Sequence, residues 1–105
     1  MKPEHLIEQM LAASLLALLA SNALAADPAN GRFLATSHCS SCHAVAPHQR
    51  DEVAAAPPFE VIAKKHDYNP TALTLAILGP HPRMNFVPRQ REAADIAASM
   101  ASLPR

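Results

Sequence analysis

Cys39-Ser40-Ser41-Cys42-His43 place two thiols and an imidazole within five consecutive positions. Thiols at this spacing can add across the two vinyl groups on one edge of a porphyrin, forming a thioether at each cysteine. The imidazole that follows at once is then carried beneath the ring, with a nitrogen aimed at the iron. This is the attachment signature of a c-type haem (heme c). Three other chemistries use a Cys-x-x-Cys pair. A redox dithiol belongs in a βαβ setting, which this Ala- and Pro-rich chain lacks. A zinc site needs a second such pair or two histidines at finger spacing. A structural disulfide across two residues would close a very tight loop.

The elements that must position these residues begin after an export signal. Leu11–Ala20 is an apolar run of about ten residues, short of the ~18–20 that span a bilayer, and Ser21-Asn22 ends it. Ala23-Leu24-Ala25 supplies the small residues of a signal-peptidase site. Residues 1–25 therefore read as a cleaved secretory signal peptide and residues 26–105 as one domain, exported to the periplasm. The competing reading is a retained membrane anchor. Haem is joined to such cysteines outside the inner membrane, where the thiols would otherwise tend to oxidise to a disulfide. With Lys2, Glu4 and Glu8 removed, eight basic and seven acidic residues remain, a net charge near +1. No basic block is present and only four residues are aromatic, which disfavours nucleic-acid binding. A chain of this length usually needs a staple to fold, and a large flat apolar cofactor is one.

Helical signals follow in order. Asp27-Pro28 is a capping residue followed by a first-turn proline, and it opens a helix over about Ala29–His38 that delivers the chain to Cys39. A proline-containing loop, Ala44–Pro57, leads to a short helix over Pro58–Lys65. Asn69 as N-cap and Pro70 at the first position start another, stopped by Gly79-Pro80. The last helix, about Gln90–Leu103, carries Ile96, Met100 and Leu103 on one stripe. Nothing alternates with period two for long enough to make a strand, so the fold class is all-α.

Between the last two helices lies Gly79-Pro80-His81-Pro82-Arg83-Met84-Asn85-Phe86-Val87-Pro88. Prolines cut the conformational freedom of a loop, so presenting one thioether over a flat ring costs less entropy. Met84 is thus the candidate sixth ligand of the iron, opposite His43, and a thioether there raises the potential. His81, three residues away, is the alternative. Met100 reads as core packing. His38 and His48 are too close to the motif to reach the opposite face comfortably, and Lys64, Lys65 and His66 read as solvated surface.

Together these residues resemble a small bacterial class I (monohaem) cytochrome c over essentially all of 26–105. The resemblance rests on Gly31 eight residues before Cys39, CSSCH near the mature N-terminus, a late loop methionine, and the terminal EAADIAASMASL helix. It implies three to four helices wrapped around one covalently attached haem. It also implies that Gly31 lets the first helix cross closely over the last, against Ile96. A backbone carbonyl of the Ala56–Phe59 loop, that of Pro57, would accept the Nδ1–H of His43. The chain departs from the family at Asn85, where a proline usually follows the ligand methionine. It also departs at Ala35 and Ser99, where aromatics often stand on the first and last helices.

The expected function is that of a periplasmic one-electron carrier and not an enzyme. It would dock transiently with redox partner proteins at the haem edge near Cys39 and Cys42. Arg83, Arg89, Arg91, Lys64 and Lys65 are candidates for steering that encounter. Two readings compete. One is a haem-based sensor or peroxidase-like protein with an open sixth position, and the other is an electron-transfer subunit held within a dehydrogenase complex.

Overall fold

A computed structural model describes residues 2–21, 25–49, 55–81 and 83–105. Ala23 and Leu24 of the signal-peptidase site lie outside the described residues, as does Pro82 of the methionine loop. The described residues form five α-helices: α1 (Pro3–Ser21), α2 (Pro28–His38), α3 (Phe59–Lys65), α4 (Pro70–Leu78) and α5 (Gln90–Ala101). No strand occurs among the described residues, and their regular structure is all helical. In α1, residues 3–17 are exposed along their whole length. No helix is long and apolar enough to cross a membrane among the described residues.

Local chemistry explains where each helix begins. Asp27 has extended backbone, and its carboxylate accepts from the N–H groups of Ala29 and Asn30, two of the donors a helix start leaves unpaired. Asn69 does the same for Ala72 N–H, with Pro70 at the first helical position, where the missing amide is no loss. At α5 the carboxylate of Glu92 reaches back to Arg89 N–H at 2.8 Å.

Helices α2 and α5 cross at Gly31. A Cβ built on Gly31 would overlap the Asp95 carbonyl and lie 2.9 Å from Ile96 N. The approach is backbone against backbone, and only glycine leaves room for it. Asp95, on the buried face of α5, clasps the start of α2. Its two carboxylate oxygens accept from Asp27 N at 2.7 Å and from the Asn30 amide at 2.9 Å. Leu34, Ala35, Phe59, Ala63, Leu73, Ile96, Ala97 and Met100 form the core around this crossing. Ser99, also buried, turns its hydroxyl back onto the Ile96 carbonyl at 2.7 Å and so needs no distant partner.

Two outcomes follow for stability. Gly31→Ala forces the helices apart and is expected to lower the midpoint of thermal unfolding, at a cost of about 1–3 kcal/mol or more for overpacking. Asp95→Ala strands two donors at a half-buried site and is expected to cost about 1–3 kcal/mol. Circular dichroism melts of the holoprotein measure both, and an unchanged melt for Gly31→Ala would contradict the crossing described.

Candidate functional site

The turn that carries the cysteines continues α2. Cys39 N–H donates to Ala35 O at 2.8 Å, and His43 N–H donates to Cys39 O at 2.9 Å, the i to i+4 pattern of a helix. Cys39, Cys42 and His43 therefore stand at i, i+3 and i+4, which share one face of a helical turn. That face lines a cavity of about 900 Å³. Cys39 is half-buried, Cys42 exposed, and both thiols are free. Burial pushes the Cys39 thiol above its ordinary value.

His43 is buried, and its Nδ1 lies 2.6 Å from the carbonyl oxygen of Pro57. A carbonyl can only accept, so Nδ1 carries a proton, and in the neutral ring the lone pair is then on Nε2. The loop is closed beside this contact by Phe59 N–H, which donates to Ala44 O at 2.9 Å. One backbone bond thus ties the residue after His43 to the residue two beyond Pro57. The Phe59 ring packs at 52° to the imidazole, with centres 5.6 Å apart.

Leu73, Ile77, Ile96 and Met100 supply an apolar floor to the cavity, and the loop after α4 closes its other side with His81, Met84 and Phe86. Met84 is half-buried and faces the same space as His43. Just before it, Arg83 sits in the left-handed region at φ 63°, a conformation costly for a residue with a Cβ. That reversal turns residue 84 back toward the helices. The loop is held to α2 by a flat stack of Phe86 on His38, with ring centres 3.9 Å apart and planes within 8°. Neither partner of this stack had been singled out as part of the site. Aromatic pairs this far apart in sequence leave no periodic trace.

The residues present fit a haem. Two thiols share one edge, an imidazole of fixed tautomer faces inward, and a thioether lines the same space over an apolar floor. The volume is within the ~300–1,000 Å³ typical of buried-ligand sites. Cys39, Cys42 and His43 would hold the group on one side. Arg83, Arg89, Arg91, Lys64 and Lys65 are all exposed.

The chain is 44% identical over 84 residues to cytochrome c-552 of Bradyrhizobium diazoefficiens, covering 79% of this chain and 81% of that protein. No family model matches the chain. No solved structure matches it.

The difference in exposure between the two thiols has a measurable consequence. Where the pocket is already formed in the reduced haem-free chain, iodoacetamide modifies Cys42 before Cys39, since the thiolate is the nucleophile and burial raises the Cys39 thiol. Raising the pH should accelerate Cys39 disproportionately. Peptide mass spectrometry over time reads both, and equal rates at every pH would show that the pocket does not form before the haem is joined.

Proposed function

Because the chain belongs to the cytochromes c, as a small class I member carrying heme c, we propose that it is a periplasmic one-electron carrier whose single haem is held by His43 and Met84. The observation that carries the reading is the cavity itself. His43, with Nδ1 bonded to Pro57 and Nε2 available, shares it with the thioether of Met84.

When bound, the haem supplies reversible one-electron exchange at its iron. The chain's residues do the rest. Cys39 and Cys42 tether the group through thioethers, so a domain of about 80 residues retains it without enclosing it. Pro57 O, by accepting from Nδ1–H, orients the His43 ring and raises its basicity. Leu73, Ile96 and Met100, the largest fully buried side chains, keep water from the floor. A dry, close-packed surround has few dipoles to reorganise when charge changes. Met84 offers a soft neutral sulfur, which raises the potential.

Helices α2 to α5 would wrap this group as one domain of residues 26–105, with residues 1–25 removed as a signal peptide on export. Electrons would pass at the edge marked by exposed Cys42. The five exposed basic side chains would steer an acidic partner protein, an effect that added salt weakens.

The ferric holoprotein is expected to show the weak far-red absorption band of sulfur-to-iron charge transfer. Met84→Ala should abolish it and lower the midpoint potential while leaving covalent haem content unchanged. Absence of the band from the native protein, with covalent haem intact, would refute the methionine ligand. Replacing both Cys39 and Cys42 by Ala should eliminate covalently bound haem, as read by the pyridine haemochrome of acid-acetone-extracted protein.

A further inference from the structure

The methionine loop brings a second metal-binding side chain to the same cavity. The rings of His43 and His81 have centres 5.9 Å apart and planes at 77°, so they meet edge-on and do not stack. Both line the cavity that Met84 lines. Two imidazoles bound to one metal ion from opposite sides keep their ring centres about 6 Å apart, given metal–nitrogen bonds of ~2.0 Å. The Nδ1 of His43 is already engaged by Pro57 O, so its metal-binding edge is Nε2. We propose that His81 is an alternative axial ligand, which takes the iron position opposite His43 whenever Met84 leaves it. The proposal rests on the reading of the cavity as a haem site.

Two features of the loop make such an exchange accessible. His81 and Met84 are separated by two residues, Pro82 and Arg83, and the left-handed backbone of Arg83 is a high-energy conformation that a rearrangement of the loop can relax. Met84 is followed by Asn85, which lacks the locked φ a proline would impose, so the thioether is less firmly presented. Exchange breaks one iron–sulfur coordination bond and makes one iron–nitrogen bond to a neutral imidazole. No covalent bond changes and no electron is consumed. Imidazole, the harder donor, suits ferric iron better than thioether does. The oxidised protein is therefore the state in which His81 competes.

Electron paramagnetic resonance and azide titration of the purified ferric holoprotein test this. Pyridine haemochrome is recorded first on the native chain. Lack of covalent haem there would refute the haem reading itself and the proposal with it, whereas every later outcome bears on His81 alone. Ferric Met84→Ala is expected to stay low-spin with the signature of two imidazole ligands. It should bind azide roughly tenfold or more weakly than the His81→Ala/Met84→Ala double variant, because an occupant must first be displaced. The double variant is expected to be high-spin. If Met84→Ala is already high-spin and binds azide as tightly as the double variant, the proposal is overturned. Helix content by circular dichroism accompanies each variant. Should Met84→Ala lose it, Met84→Leu, which keeps the volume and supplies no donor, is read by the same criteria.

Discussion

The whole arrangement hangs on the backbone contact between α2 and α5 at Gly31. Where two helices touch main chain to main chain, their relative position has little latitude, because neither side can yield by changing a rotamer. The Asp95 carboxylate adds direction to that contact by gripping the first turn of α2. With the start of α2 pinned, its far end at His38 is pinned as well, and so is the turn bearing Cys39, Cys42 and His43. The site is thus positioned by a contact at the opposite end of an eleven-residue helix.

The core left by this crossing is thin. Ala35, Ala63, Ala93 and Ala97 are buried, and among the described residues the largest fully enclosed side chains are Leu73, Ile96 and Met100. Small residues permit close helix approach but remove little apolar surface from water. The cavity beside them is bordered by the same Leu73, Ile96 and Met100. A flat apolar cofactor completes that packing, so cofactor and core are one object energetically. In a domain this small such coupling is the ordinary substitute for a larger interior.

Legibility in the sequence follows how local each interaction is. Asp27-Pro28 and Asn69-Pro70 mark helix starts because capping involves neighbours in the chain, and both caps stand where those pairs placed them. The last helix ends at Ala101 rather than Leu103, with the apolar stripe running on past the final backbone turn. CSSCH carries its chemistry in its spacing. The pairing of His43 with Pro57, by contrast, was available only through resemblance to a family, since no pattern ties positions 43 and 57. The stack of His38 on Phe86 and the clasp at Asp95 were not anticipated. For Asp95 a signal existed: a carboxylate within EAADIAASMA, next to Ile96 on the apolar side of the helix, must find donors somewhere.

The Asp95 clasp also sets how short the N-terminus can be. Its outermost partner is the main-chain nitrogen of Asp27, whose own side chain caps α2. A chain beginning at Ala26 keeps both interactions. One beginning at Asp27 would meet the same carboxylate with a terminal ammonium. Loss of Asp27 would remove cap and clasp in a single cut. Any trimming of the N-terminus is thereby coupled to tertiary structure through one amide, and tolerance of it ends at Asp27.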